Sequence, residues 1–306
     1  MRLEDLARLG LPECAPRVPA WSFGFWRRKS ITFANGLTDS GTRVFWLQSG
    51  GLTADLRLPA RRFDATSLDA RARLEGWLAQ TSWDGQKMSW SNGTSFQLHD
   101  KWPEPALLTR IGDCLIEFAP SGIYVEDWRL QPSAPGLFAG LKLIEERDGA
   151  SGAVRHRGGG LIVTGDHAAL VKGRPAALPA TGRLENYVAG HAHDEVALDA
   201  VFAFETSYGR RTGDGGYVVE ASTCAAREGA ALISLGGFSW DAPSGTVVQR
   251  TEEDGRDIER IFTVDTLKAD FAFDCATPAA PEANAWLATE RVTLLRDAAP
   301  LAPQEP

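Results

Sequence analysis

The stretch FWLQSGGLTADLRLP, residues 45–59, decides how this chain folds. It reads as two β-strands around a Gly-Gly turn, with Asp55 and Arg57 interrupting the leucines of the second strand. A strand sends alternate side chains to opposite faces. Leu52, Ala54, Leu56 and Leu58 therefore share one face, and Thr53, Asp55 and Arg57 share the other. A two-residue turn at Ser49-Gly50 sets Val44, Trp46 and Gln48 beside the Thr53/Asp55/Arg57 face. A three-residue loop instead slips the register and puts Trp46 with the leucines. In the first register an indole, a carboxylate and a guanidinium converge, which suits a ligand with a ring and a polar group. In the other reading Asp55 and Arg57 form a solvent-facing pair of little energetic weight. An apolar interior is the usual pattern for such sheets.

Similar hairpins recur along the chain. RVFWLQ, LTADLRL, LIVTG, HAALVKG, YVVEAS, ALISLG, TVVQRT and RIFTVD are strand candidates separated by Gly, Asp, Asn and Pro clusters. Asp84-Gly85, Gly165-Asp166 and Asp214-Gly215 are turn signals, because Gly takes positive φ freely. Helical signals are few. MRLEDLARLG reads as a short amphipathic helix stopped by Gly10, and SLDARARLEGWLA as a helix capped by Ser67 that gives way to a strand near Gly76. EANAWLATERVTLLR is ambiguous, and its second half reads as a closing strand. Many antiparallel hairpins with little helix imply barrels or sandwiches. The expectation is an all-β, mainly antiparallel chain with two β-barrels and few short helices. A polar, Gly-rich stretch at residues 145–158 suggests the division: an N-terminal extension over 1–20, a Trp-rich barrel over 21–150, a second barrel over 151–297 and a disordered tail over 298–306. Eight of the ten tryptophans precede that division, so the halves are not close repeats.

Four segments resemble one family: WLQSGGLTADLRLP (46–59), EGWLAQTSWDGQKMSW (75–90), RIGDCLIEFAPSGIYVEDWR (110–129) and ALDAVFAFETSYGRRTGDGGYVVEASTCAAREG (197–229). The family is a group of bacterial and fungal calycin-like (lipocalin-like) double β-barrel proteins, largely without assigned function. The resemblance covers roughly residues 25–235. It implies the calycin-like fold and is nearly silent on activity. One departure matters: the family pattern carries His and Arg straight after the Trp that follows the Asp-Gly turn, whereas Trp90 is followed here by Ser91 and Asn92. No catalytic role is carried over at that strand.

The totals exclude some classes. The formal net charge is −8, while a nucleic-acid binder normally carries a basic face. The basic clusters Arg27-Arg28-Lys29, Arg61-Arg62 and Arg210-Arg211 read as solvated strand ends. No apolar run approaches the roughly 18 residues of a membrane span, and Glu4 and Asp5 break any signal-peptide core. A cytoplasmic protein with no nucleic-acid or membrane partner is expected. Cys14, Cys114, Cys224 and Cys275 form no CxxC pair, so buried, inert thiols are expected.

Other constellations are candidates for chemistry. In GIYVEDWRLQ, Tyr124, Glu126 and Trp128 share a face, and a carboxylate flanked by rings can be desolvated into a useful pKa range. The plainer reading is a core aromatic pair with Glu126 bonded to a neighbouring Arg. Trp83, Trp90 and Trp102 are either packing or a stacking surface. In GHAHDE, His191, His193 and Glu195 would share one side of a strand, but no later His supplies a further ligand, so no metal is expected and a polar edge or loop before a strand ALDAVFAFE is the better reading. His99 and His167 read as surface or loop residues. Neither GxSxG nor a phosphate-binding Gly motif is present, so no cofactor is expected.

These readings converge on a barrel cavity for a small apolar or aromatic molecule, bound by Trp46, Asp55, Arg57, Trp83, Trp90, Tyr124, Glu126 and Trp128. One alternative is a cofactor-independent lyase, isomerase or hydratase acting on such a molecule. There Glu126 or Asp55 would be the acid or base, and Arg57 would hold an oxyanion. Another is an interaction protein whose barrels are filled.

Overall fold

The computed structural model describes residues 1–60, 63–98, 102–179 and 182–302. Arg61, Arg62 and His99 lie outside the described residues, as does the end of the tail. The chain is all-β, mainly antiparallel, with a closed barrel, a second sheet and short helices.

The first sheet comprises β1 (Gly24–Phe33), β2 (Thr38–Asp39), β3 (Arg43–Gln48), β4 (Leu52–Leu58), β5 (Glu75–Trp83), β6 (Lys87–Ser95), β7 (Ala106–Ile111), β8 (Cys114–Phe118) and β9 (Tyr124–Leu130). Its order is β2-β1-β3-β4-β5-β6-β7-β8-β9, and β9 pairs back on β1, with Trp26 opposite Leu130 and Phe33 opposite Tyr124. β1 and β3 to β9 thus close an eight-stranded up-and-down barrel, with β6 and β7 paired only at Lys87–Leu107 and Met88–Ala106. The form is consistent with a calycin-like fold.

The opening hairpin turns one residue later than Ser49-Gly50. Ser49 N donates to Leu52 O at 2.9 Å, so Gly50 and Gly51 are the turn residues. Trp46 stands opposite Asp55, and Gln48 opposite Thr53. Moving a two-residue turn by one position slips the register by two, so each side chain keeps its face. The glycines are required by close approach. A Cβ on Gly50 would lie 2.6 Å from Thr266 Oγ1, and one on Gly51 2.6 Å from Asp265 Oδ1. The hairpin tip is held there by Gly50 N to Thr266 Oγ1 at 3.0 Å and Ser49 Oγ to Asp265 Oδ2 at 2.7 Å.

Thr53, Asp55 and Arg57 point into the barrel, and the leucines point out. The usual apolar-in pattern is reversed because the second sheet covers the outside. Leu47, Leu52, Leu56, Leu58 and Leu78 form one buried cluster with Ile162, Ala169, Val171, Phe204 and Tyr208. The hydrophobic requirement of β4 is met on its outer face, which frees the inner one for polar groups.

The second sheet comprises β10 (Gly136–Asp148), β11 (Val154–Arg157), β12 (Gly159–Thr164), β13 (His167–Lys172), β14 (Glu205–Arg211), β15 (Tyr217–Ser222), β16 (Phe238–Asp241), β17 (Thr246–Glu253) and β18 (Arg256–Phe271). Its order is β15-β14-β13-β12-β10-β18-β17-β16, with β11 paired to β10. The polar stretch at 145–158 forms the β10–β11 hairpin, and the chain passes between the sheets over residues 131–135. A second apolar cluster fills this half, from Leu137 to Leu267. It is capped by α1 (Leu3–Ala7), whose Leu3 and Leu6 are fully buried and whose Leu3 N donates to Leu235 O at 2.9 Å. Gly10 ends that segment at φ +64°.

Helix α2 (Leu68–Ala72) begins at its expected cap, with Ala70 N donating to Ser67 Oγ at 3.2 Å. Elsewhere helices replace expected strands. GHAHDE is the expected polar loop, between α3 (Leu184–Gly190) and α4 (Glu195–Phe202), and α4, where Asp194 caps Ala197 N at 3.0 Å, takes the place of the strand expected over ALDAVFAFE. TERVTLLR lies within or just beyond α5 (Pro281–Leu294), which has Pro at its first turn and no buried residue. In both, Ala, Leu and Glu outweigh the β-branched residues that suggested strands. ALISLG is an extended connection with one bridge, Val218 to Ala231. The four cysteines are free, but only Cys114 is even half-buried; the other three are exposed, because each lies in a connection or at a strand start rather than in a core. Among the described residues no helix is long and apolar enough to cross a membrane.

Candidate functional site

The barrel holds a solvent-open cavity of about 540 Å³, within the range of roughly 300–1,000 Å³ that small-molecule sites occupy. Strand alternation builds its wall. Trp46 comes from β3, Thr53, Asp55 and Arg57 from β4, Glu75 and Trp77 from β5, Trp90 from β6, Glu117 from β8, and Tyr124, Glu126 and Trp128 from β9. β1 contributes Arg28 and Ile31 on the same side because a register shift intervenes between Arg28 and Ser30.

The tryptophans are fixed by a polar floor. Thr53 Oγ1 donates to Gln48 Oε1 at 2.6 Å and receives Trp90 Nε1 at 3.1 Å. Trp46 Nε1 donates to the same Gln48 oxygen at 3.1 Å, and Gln48 Nε2 donates to Leu52 O at 3.0 Å. Thr81 completes the chain at 2.7 Å from Thr53. Buried polar groups need such partners, and here satisfying them also orients two indoles. Trp46 meets Trp128 edge-on with centroids 5.2 Å apart, and Trp77 meets Trp102 likewise at 5.5 Å.

Charges are paired with carboxylates in excess. Arg57 Nε donates to Asp55 Oδ1 at 2.9 Å, and its Nη1 lies 4.0 Å from Glu75. Arg28 donates to Glu126 Oε1 at 2.8 Å and to Asp39 Oδ2 at 3.1 Å. Among the described residues no guanidinium is bonded to Glu117, and Arg57 acts on it only through space. Glu117 accepts from Trp128 Nε1 at 3.1 Å and, at 3.4 Å, from the Tyr124 hydroxyl. It also stands directly opposite Glu126 across β8 and β9. Burial, reinforced by that facing carboxylate, raises Glu117 from the usual 4.5 to about 8. Burial raises Asp55 from 3.8 to about 6, against the pull of Arg57. The cavity thus holds one acid that keeps its proton at neutral pH beside carboxylates clamped by arginine.

Seven of the eight residues expected to bind a ligand line this space: Trp46, Asp55, Arg57, Trp90, Tyr124, Glu126 and Trp128. Trp83 does not. It lies beyond Thr81 on β5, away from the cavity, and packs edge-on against Trp21 at 5.5 Å. Glu126 satisfies both of its readings, since it faces the cavity and is bonded to an arginine. Arg28 overturns the reading of its cluster as a solvated strand end. Its side chain is buried at 5% exposure, and Arg27 is buried on the outer face with its guanidinium 4.1 Å over Phe45.

Sequence reasoning missed Glu117, Glu75, Trp77 and Arg28. The alternation in CLIEF, which puts Leu115 and Glu117 on one face, carried the signal for Glu117. Glu75 and Trp77 likewise alternate on one face of EGWLAQ. Only the register shift in β1 hid Arg28.

His167 and His191 are structural. His167 is buried rather than exposed, with Nδ1 2.9 Å from the Tyr208 hydroxyl and Nε2 3.0 Å from Pro132 O. Burial lowers it to about 4. His191 Nδ1 bonds Tyr187 O at 2.8 Å and its ring stacks on Tyr187. Among the described residues no cluster of His, Cys, Asp and Glu is arranged to hold a metal.

Fold and site together define a closed antiparallel β-barrel, consistent with a calycin-like fold, with an aromatic, acid-rich cavity. No model of a known protein family matches the chain, and neither does any curated protein compared with it.

Proposed function

We propose that the barrel cavity binds a small apolar or aromatic molecule. One observation carries the reading: a cavity of about 540 Å³, open to solvent, walled by Trp46, Trp77, Trp90, Tyr124 and Trp128. Indole and phenol faces stack a planar ring. Asp55, Glu117 and Glu126 offer fixed polar contacts that select an orientation. The resemblance to the calycin-like double-barrel family bears on the fold alone, and fold by itself does not assign a function. The test is titration of intrinsic tryptophan fluorescence with a panel of small aromatics and fatty acids, paired with thermal melting. The expected result is saturable quenching with a rise in Tm, weakened by Trp90→Phe. Silence from every compound, with a crystal structure in which side chains fill the space, overturns the reading.

A second reading, a cofactor-independent lyase, isomerase or hydratase, is favoured by one feature. Glu117 and Glu126 are neighbours in unlike surroundings, Glu117 held by an indole and a phenol and Glu126 by Arg28, an asymmetry suited to a general acid beside a second carboxylate. Here Glu117 takes the acid role, with Asp55 or Glu126 as base. Arg57 is not an oxyanion holder in this reading, since its donors face Asp55 and Glu75. Conversion of a bound compound that stops in Glu117→Gln while binding persists distinguishes this reading from simple binding.

A further inference from the structure

Building on the binding reading, we infer that the molecule held in the barrel is an organic cation, a protonated amine or quaternary ammonium attached to a ring.

Three observations converge. The first is the balance of charge. Six carboxylic side chains line the cavity against two guanidiniums. The second is where those guanidiniums point. Arg28 is shared between Glu126 and Asp39, and Arg57 between Asp55 and Glu75. An anionic ligand would have to displace carboxylates already in place and would enter a surplus of like charge. The third is the wall itself. Tryptophan and tyrosine faces attract cations through the ring quadrupole, and cages of such rings recognise alkylated ammonium groups.

Glu117 gives the cation a place. It is 4% exposed and sits between Trp128 and Tyr124, with only an indole and a phenol hydroxyl as hydrogen-bond partners. Arg57 acts on Glu117 only from a distance, and an ammonium at this carboxyl would supply a countercharge in direct contact. Because Glu117 holds its proton in the empty site near neutral pH, a bound cation favours its ionisation. Binding then releases a proton to buffer, so charge balance is kept as a cation enters and a proton leaves.

The experiment compares three probes of similar size by calorimetry and saturation-transfer NMR at pH 7: phenethylamine, 2-phenylethanol and 3-phenylpropionate. Benzyltrimethylammonium tests the quaternary case. The amine is expected to bind at least tenfold tighter than the alcohol, with the propionate weakest. Repeating the calorimetry in buffers of different ionisation enthalpy is expected to reveal proton release on binding the cations only. Glu117→Gln, which preserves shape, is expected to reduce the advantage of the amine over the alcohol at least threefold and to abolish proton release. Equal affinity for amine and alcohol, or tightest binding by the propionate, overturns the cation inference and leaves the binding reading intact. Binding of larger neutral rings without either cation does the same. Silence from these probes and from the wider aromatic and fatty-acid panel overturns both.

Discussion

Glu117 and Glu126 face each other across two adjacent strands, an arrangement that costs free energy unless one of them keeps its proton. Its consequence is a pH dependence with a definite sign. Glu117 is raised from 4.5 to about 8, so between those values the folded chain keeps a proton that the unfolded chain has lost. Stability therefore falls as pH rises through that window, with a slope of up to about 1.4 kcal/mol per pH unit for one proton. Asp55, raised from 3.8 to about 6, adds the same sign at lower pH. Urea midpoints taken from pH 5 to 9 are expected to decline for the native chain. Glu117→Gln carries no charge at any pH, so its midpoints are expected to be flatter above pH 6. Parallel curves for the two proteins would show that Glu117 is not the titrating group. At this scale much was legible. Asp55, Glu126 and the rings beside them could be picked out because each stands at a fixed alternation within its own strand. Glu117 could not be recognised as special, since its position depends on Glu126 from another strand.

At the scale of elements, β4 is the informative strand, buried on both faces for different reasons. Thr53 and Asp55 face the cavity, while Leu52, Leu56 and Leu58 are sealed under the second sheet. Leu56→Ala is expected to destabilise the fold by about 2–5 kcal/mol, the usual cost of truncating a buried leucine. Because that side chain points away from the cavity, ligand affinity measured by tryptophan quenching is expected to stay within twofold. A loss of binding equal to that of a cavity residue would mean the two faces are coupled through β4. Hairpins were the elements best read in advance, since Gly turns and period-two alternation are local signals. Helices α4 and α5 were misread as strands. Their short mixed runs, ALDAVF and ERVTLL, carry Val among good helix formers, and so short a run does not distinguish the two periods.

At the scale of the molecule, the two sheets share a core. The cluster joining Leu56 and Leu78 to Val171 and Tyr208 belongs to neither sheet alone, and the β3–β4 tip is hydrogen-bonded to Asp265 and Thr266 of β18. Separating the sheets would expose the outer leucines of the barrel. The expected outcome is a single cooperative transition. Tryptophan fluorescence, dominated by the barrel, and far-UV circular dichroism, which reports both sheets, are expected to give coincident urea curves. Two resolved transitions would show that the barrel stands without its cover.

The sequence by itself determined which residues share a face, because the pleat of a strand is a local property that every two residues repeat. It determined as well that the chain is built of antiparallel hairpins, since turns and alternation lie within a dozen residues of each other. Only the tertiary structure decided which face of β4 looks inward. That choice depends on β12, β13 and β14, which lie more than a hundred residues further along the chain and cover the leucines from outside. Burial belongs to whole surfaces, and no stretch of one strand carries the information about what is laid against it.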